Sequence, residues 1–475
     1  RHVLFHQRIE RFAVARELGT DRVALLADFA ASVDHGSLPA DVELLSKACV
    51  LYGLAVGLAA VKMFSVAAIA EAAGGERSQA DGPATRLSDG ARLPVDEAVL
   101  CNATMLSSHA QGDSHPTGHF GGVVIPVALA IAEERKRSGK EFLATVVAGY
   151  EVGLRVGRDH AGALTEQGFR TTPCYGVFAA AGAAGRAMQM DGAMLAQGLR
   201  VAANFAGGTR EFVYAGSFEY PYQAAVAARN GLLAARLASA GVQAAESALD
   251  GRAGFYRAYG GAPDVDYGER LTDALGSDFE LRRVTYRSSP ACQYVQGVIS
   301  AMLKCRARVE KEQLPATITV SLCPFEAAYP GVANRGPFRS VTQTIASATF
   351  CAALAWLRGG VTYDGLERYG DREVVDLAER VTVRSEPMFG MYETRVECVF
   401  PDGQTVEIHD TAGPSSYAMS WDGAVDAATE LCGSGLDDLI AAVAELDRAD
   451  SVKDVVDAAV AAATGASRAR PQVRR

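Results

Sequence analysis

The sequence lacks every short motif that marks a nucleotide site, a zinc protease or a serine hydrolase. It contains no G-x-G-x-x-G, no G-x-x-x-x-G-K-[ST], no H-E-x-x-H and no G-x-S-x-G, so these three classes have no local support. Its nine cysteines are odd in number and form no C-x-x-C pair, which argues against a disulfide framework or an iron–sulfur site. We therefore expect reduced, mostly buried thiols in a cytoplasmic protein.

The chain also lacks a strong excess of charge. Its net charge is -10 over 475 residues, which argues against nucleic acid or an anionic membrane as a partner and leaves a small anionic substrate open. The first twelve residues are too charged for a secretory signal, so we expect no export. A long apolar run at residues 49–70 is interrupted by Lys62. Placing a lysine near the centre of a membrane costs about 2.5–3.5 kcal/mol. This run predicts a buried helix and no membrane span.

Hydrophobic patterning predicts two domains. Ala- and Gly-rich helical stretches fill the first half of the chain, whereas strand-like alternation begins at residue 317 and continues to residue 409, with a P-D-G hairpin turn near its end. We expect a large all-helical domain at residues 1–268, completed by residues 410–475. Residues 269–409 should form a smaller α+β lid domain with a mostly antiparallel sheet.

The richest stretch for chemistry is residues 102–122, which contain His109, Asp113, His115 and His119. An imidazole beside a carboxylate can move a proton at neutral pH. The last two histidines are four residues apart, as in helical metal sites, but the proline and glycine between them argue against a helix, so metal binding ranks third. The remaining interpretation, that the histidines cap the following helix and bind nearby carbonyls, is as compatible with the loop as proton transfer.

Two further segments carry cationic groups that suit a carboxylate. Arg170 and Thr172 lie just before a predicted helix, where backbone N–H groups, a hydroxyl and a guanidinium together favour an anion. Arg287 precedes a proline-containing turn into another helix. A capped helix with a solvated arginine explains both segments equally well.

In order and spacing these segments resemble the MmgE/PrpD family, from about residue 25 to about residue 460. The resemblance is carried by the loop H-A-Q-G-D-S-H-P-T-G-H-F-G-G, by G-Y-E-V-G-L-R, by G-F-R-T-T-P-C-Y-G-V-F-A-A-A-G-A-A-G-R and by R-S-S-P-A-C-Q-Y-V-Q. It implies a homodimer with a cofactor-free site between a helical domain and a lid. It also implies small di- or tricarboxylate substrates and proton transfer next to a carboxylate. By position, His119 becomes the principal acid or base, and Asp113 and His115 orient it or act as its partner.

The chain departs from the family pattern at several positions that bind substrate. The family's K-x-x-H element falls on Tyr220 to Gln223 in this chain. Arg170 stands where the family has a histidine, and Arg287 stands where it has a lysine. Gln296 replaces a further histidine. Arginine keeps the charge but does not deprotonate, so these positions suit a carboxylate clamp. The predicted substrate-binding residues are Arg170, Thr172, Arg287, Gln223, Tyr220, Gln296 and Asn102.

The resemblance therefore implies a lyase of the dehydratase or decarboxylase type that requires no cofactor or metal. The sequence leaves two alternatives open. One is an epimerase of a dicarboxylate of the iminodisuccinate type, which shares the first proton-abstraction step. The other is a catalytically degenerate binding protein, suggested by the replaced lysine and histidines.

Overall fold

The computed structural model describes residues 21–74, 82–310, 313–411, 413–433 and 435–468. The twelve residues that underlie the expectation of no export lie outside this part of the chain. The helices of the first half are α1 (Arg22–Ser32), α2 (Ala40–Ala60), α3 (Phe64–Gly74), α4 (Val95–Ser108), α5 (Gly121–Arg135), α6 (Gly139–Gly157), α7 (Ala161–Glu166), α8 (Thr171–Ala187), α9 (Gly192–Ala202), α10 (Glu211–Ala215), α11 (Tyr220–Ser239) and α12 (Phe255–Ala258). Between α3 and α4, the two-residue strands β1 (Ala84–Thr85) and β2 (Arg92–Leu93) pair antiparallel.

Helix α2 is long and apolar enough to cross a membrane by length and composition, but 78% of its most apolar window is buried inside the protein. The predicted apolar run is broken after Ala60, and α3 starts at Phe64. The buried-helix interpretation therefore agrees with where the structure places this segment.

Small residues allow α6, α8 and α11 to pack closely. A Cβ atom at Gly231 of α11 would lie 2.4 Å from the Cβ of Ala180 in α8, and one at Gly153 of α6 would lie 2.6 Å from the Cβ of Ala179. Contacts this short leave no room for a larger side chain. Helix α6 begins with a capping box between Ser138 and Glu141, which fixes where the helix starts.

The second half of the chain contains a small mixed sheet packed against helices. Its elements are α13 (Gln296–Arg306), β3 (Thr317–Leu322), α14 (Pro324–Ala327), α15 (Val341–Ala346), α16 (Ala348–Arg358), α17 (Tyr363–Glu367), α18 (Arg372–Ala378), β4 (Val381–Ser385), β5 (Thr394–Val399) and β6 (Thr405–Asp410). The strand order is β4-β3-β5-β6. Strands β3 and β4 are parallel and the other two pairings are antiparallel. The predicted fold class, a large helical part with a smaller α+β part, is confirmed.

Two hydrophobic cores follow from this arrangement. One contains buried side chains from residues 23–284 and 419–463, and the other contains those from residues 291–408. Helices α19 (Trp421–Cys432), α20 (Asp437–Ala444) and α21 (Lys453–Arg468) thus return to the first core. The chain crosses between the cores near residues 285–290 and again near residues 409–418.

Candidate active site

The histidine loop connects α4 to α5 and is fixed at the junction of the two cores. Within it, the backbone groups of His115 and Gly118 exchange two hydrogen bonds of 3.0 and 2.9 Å. Gly118 has φ +141°, a conformation that favours glycine. Ser114 exchanges two backbone hydrogen bonds of 2.8 Å with Thr285. These bonds attach the loop to the segment that enters the second core.

The carboxylate of Asp113 holds the loop to the helices behind it. Its Oδ1 accepts from the backbone N–H of Gly121 at 2.9 Å, and its Oδ2 accepts from the hydroxyl of Tyr150 at 2.7 Å. Burial raises the pKa of Asp113, although both hydrogen bonds oppose the rise. Asp113 orients His119 through its backbone carbonyl, since the carboxylate is engaged elsewhere.

His119 is partly buried and lies beside two arginines. Its Nδ1 is 2.7 Å from the carbonyl oxygen of Asp113, and because a carbonyl only accepts, Nδ1 carries the proton. Its Nε2 therefore accepts from Nη2 of Arg287 at 2.8 Å, and its backbone N–H donates to the Thr172 hydroxyl at 3.2 Å. Burial, followed by the charges of Arg287 and Arg170, holds the pKa of His119 well below its usual value. The ring is neutral and its basic nitrogen faces a cation.

His115 pairs with a glutamate that the sequence reasoning missed. Its Nε2 lies 3.4 Å from Oε2 of Glu280, whose other oxygen pairs with Arg158. Burial works against ionisation of Glu280, but the hydrogen bond from His115 and the charge of Arg158 lower its pKa to about 2. No signal in the sequence links Glu280 to the loop. Among the residues that the structure describes, no three His, Cys, Asp or Glu side chains are grouped as metal ligands.

Arg170 directly precedes α8, and its side chain lies against the first turn of α11. Its Nη1 donates to the carbonyl of Tyr220 at 2.5 Å and to Oε1 of Gln223 at 3.3 Å. The Tyr220 hydroxyl donates to the carbonyl of Ser108, and Nε2 of Gln223 donates to that of Thr209. Burial lowers the pKa of Arg170 to about 10, so it stays charged at neutral pH.

Arg287 is held by the histidine loop and by α2. Its Nη1 donates to the carbonyl of Ala110 at 2.7 Å, and its backbone N–H donates to the hydroxyl of Tyr52 at 3.0 Å. Its buried Nε has no hydrogen-bond partner among the described residues. Arg287 is thus fixed in place, with one buried N–H unpaired.

The two remaining predicted binding residues are engaged with the backbone. Asn102 accepts from the N–H of Leu87 and donates to the carbonyl of Thr85, which anchors the short β1–β2 ladder on α4. Gln296 accepts from the N–H of Ser289 and donates to carbonyls of the same turn. The structure therefore groups His119, Thr172, Arg170, Arg287, Tyr220 and Gln223, and places Asn102 and Gln296 in supporting positions.

Two charged residues near this group were not predicted. Arg210 lies two residues after Gly208, and its Cζ lies 5.1 Å from the ring centroid of Tyr329. Glu326 is buried in α14; its Oε1 accepts from the N–H of Tyr392, and its Oε2 has no partner among the described residues. Burial raises the pKa of Glu326 to about 7.

A neutral imidazole and two guanidiniums therefore lie together at the junction of the helical core and the mixed-sheet core, and such groups are chemically able to transfer a proton and to bind an anion. The chain belongs to the MmgE/PrpD family, since the family model of the MmgE/PrpD N-terminal domain matches residues 24–268, about half of the chain.

Curated relatives extend the similarity beyond that domain. The chain is 26% identical to the cis-aconitate decarboxylase-like protein oryM of Aspergillus oryzae over 411 residues. This alignment covers 81% of this chain and 84% of that protein. It is 24% identical to cis-aconitate decarboxylase of Aspergillus terreus, over 67% of this chain and 70% of that protein. It is 25% identical to the human cis-aconitate decarboxylase, over 66% and 67%. The names of these relatives support a lyase of the decarboxylase or dehydratase type.

Proposed function

We propose that the protein is a cofactor-independent lyase that transfers a proton at the carbon next to a carboxylate of a small di- or tricarboxylate. The observation that carries this proposal is the neutral His119, whose Nε2 lies 2.8 Å from the guanidinium of Arg287. Such an imidazole can exchange a proton with carbon while the guanidinium holds a neighbouring carboxylate. The decarboxylase names of the relatives support the same class of reaction.

Binding of an anionic substrate makes His119 a better base. The charges of Arg287 and Arg170 lower the pKa of His119, and substrate carboxylates offset those charges, so the pKa rises toward the neutral range. A carboxylate also competes for Nη2 of Arg287 and frees the lone pair of Nε2. The site thus becomes reactive when a correctly charged molecule occupies it.

Two outcomes are chemically consistent with these residues. In a dehydration, Nε2 of His119 removes a proton from carbon, the C–H electron pair forms a new C=C bond, and the hydroxyl on the next carbon leaves as water after protonation. In a decarboxylation, the electrons of the broken C–C bond stay on carbon as carbon dioxide leaves, and protonated His119 delivers a proton there. In both, Arg170 and Arg287 stabilise negative charge on the remaining carboxylates.

Incubation in deuterium oxide tests the proposal. The protein is mixed with a panel of small di- and tricarboxylates that includes cis-aconitate and citrate, and proton NMR follows consumption and C–H exchange. We expect at least one acid to be consumed or to exchange a proton next to a carboxylate. If every acid is recovered unchanged and unlabelled, the proposal is wrong.

The variant His119→Gln tests the role of the imidazole. We expect turnover to fall by about two to four orders of magnitude, because a general acid or base contributes that much, while binding of an unreactive tricarboxylate changes little. His35→Gln is the matched control, since His35 pairs with Glu43 outside this site. Wild-type turnover in His119→Gln would remove His119 from the mechanism.

A further inference from the structure

Arg210 is placed beside Arg170 by a short backbone pairing. Phe169 and Thr209 form an antiparallel bridge, in which Arg170 N–H donates to the carbonyl of Gly208 and Arg210 N–H donates to that of Gly168, both at 2.9 Å. Side chains alternate between the two faces of such a pair. Arg170 and Arg210, each one residue from the bridge, therefore lie on the same face.

The guanidiniums of Arg170, Arg210 and Arg287 lie near enough to one another to act in pairs on the same neighbouring side chains. Burial raises the pKa of the Tyr329 hydroxyl, and the charges of Arg210 and Arg170 both oppose that rise. Burial likewise raises the pKa of Cys292, and there the charges of Arg287 and Arg210 oppose the rise. Each pair of arginines thus acts on a common neighbour.

None of the three guanidiniums is paired with an Asp or Glu side chain among the described residues. Arg170 and Arg210 donate to carbonyl or amide oxygens, and Arg287 donates to carbonyls and His119. Other buried arginines of this protein have a carboxylate: Arg155 pairs with Glu151, and Arg200 pairs with Asp21. Partly buried cations without counter-ions are unfavourable, so this arrangement suits a ligand that supplies the negative charges.

The side chain of Arg210 has spare hydrogen-bonding capacity. Its guanidinium stacks over Tyr329, a contact that favours a cation. Its Nη1 donates to the carbonyl of Thr165 at 3.3 Å, and its buried Nη2 has no partner among the described residues. The buried Nε of Arg287 is unpaired in the same way. Two arginines of the group therefore keep an N–H available.

We propose that Arg210 binds a carboxylate additional to those held by Arg170 and Arg287, and so makes the site select a tricarboxylate over a dicarboxylate. This inference rests on the proposed function, because it assigns a specificity-determining residue to the same site. The preferred ligand thus carries three carboxylates, and Arg210 binds the third one.

Calorimetric binding of two unreactive acids tests the inference. Propane-1,2,3-tricarboxylate and glutarate share a five-carbon chain and differ by the central carboxylate. At constant ionic strength, we expect the wild-type protein to prefer the tricarboxylate by about tenfold or more, the effect of one charge-assisted hydrogen bond. Arg210→Gln should lose that preference with little change in glutarate affinity, and Arg210→Lys should retain part of it.

Arg448→Gln is the matched control, since Arg448 is 75% exposed and pairs with Glu445, and it should keep the full preference. If Arg210→Gln keeps the preference, or if the wild-type protein binds both acids equally, the inference is wrong. Turnover of a carboxylic acid by the wild-type protein would then leave the proposed function standing. Absence of both binding and turnover would overturn the two proposals together.

Discussion

The protonation state of His119 is set by its neighbours. The backbone carbonyl of Asp113 accepts a hydrogen bond from Nδ1–H of His119, and Nη2 of Arg287 donates to the other ring nitrogen. Arg287 in turn is held by Ala110 of the same loop. The histidine and the arginine therefore act as a unit, and changing one alters the chemistry of the other.

Replacement of Arg287 should raise the pKa of His119. The nearby positive charge disfavours imidazolium, so Arg287→Gln removes an unfavourable interaction from the protonated form. NMR titration of isotope-labelled histidine measures the change, and we expect the midpoint of His119 to shift upward. Arg448→Gln is the control and should leave it unchanged. An unshifted midpoint in Arg287→Gln would show that the charge of Arg287 does not lower the pKa of His119.

Glu280 should stabilise the protein in a pH-dependent way. Its pKa is lowered from 4.5 to about 2 in the folded protein, so its contribution is present above pH 4.5 and is lost as the pH falls through about 2. At pH 7, Glu280→Gln should reduce the free energy of unfolding by about 1.5–3 kcal/mol, because charged partners lose a hydrogen bond. Chemical denaturation at several pH values measures this, and the difference in the free energy of unfolding between the wild-type protein and Glu280→Gln should become smaller at acidic pH.

Glu445→Gln provides the comparison for Glu280. Glu445 is 60% exposed and pairs with Arg448 on the surface, so its removal should cost less than about 1 kcal/mol at any pH. If both variants lower the free energy of unfolding equally, the contacts of Glu280 with His115 and Arg158 stabilise the protein no more than a surface ion pair does.

At the scale of elements, the close packing of the helices in the first core requires small residues at the contact positions. Gly231→Ala should destabilise the protein by about 1–3 kcal/mol through overpacking, because its Cβ would lie 2.4 Å from both Ala180 Cβ and the carbonyl oxygen of Val177. This loss exceeds the gain of about 1 kcal/mol in helix propensity. Gly465→Ala is the control in α21, where nothing lies within 4 Å, and it should be neutral or stabilising. Thermal unfolding measures both.

Local patterns predicted most elements because helical and strand periodicities are properties of short segments. The alternation of residues 317–322 predicts a strand, and β3 has these bounds. The apolar run at residues 345–358 predicts a single helix, but the extended backbone of Ser347 interrupts it, and the Ser347 hydroxyl caps α16 by accepting from the N–H of Phe350. Helix α8 begins at Thr171, earlier than predicted, because Pro173 is tolerated in the first turn, where its missing N–H leaves no bond unmade.

At the scale of the whole molecule, the sequence pointed to the histidine loop and to Arg170 and Arg287, and the structure brings these residues together, although their roles stay predictions. The partners of His115 and Asp113 were beyond sequence reasoning, because Glu280 and Tyr150 reach the loop only through the tertiary fold. When an aspartate lies near a histidine in the sequence, the sequence does not tell whether its carboxylate or its backbone carbonyl contacts the imidazole.

The histidine loop is attached to both sides of the junction. Ser114 and Ala110 bind the crossing segment, and His109 stacks on Tyr363 of α17 at 5.1 Å between ring centroids. A motion that separates the two cores would break these contacts, which hold the loop that carries His119. Under the proposed function, a separation of the cores would therefore also misplace the proton-transferring group, so a carbanion could form only while the two cores shield it from water.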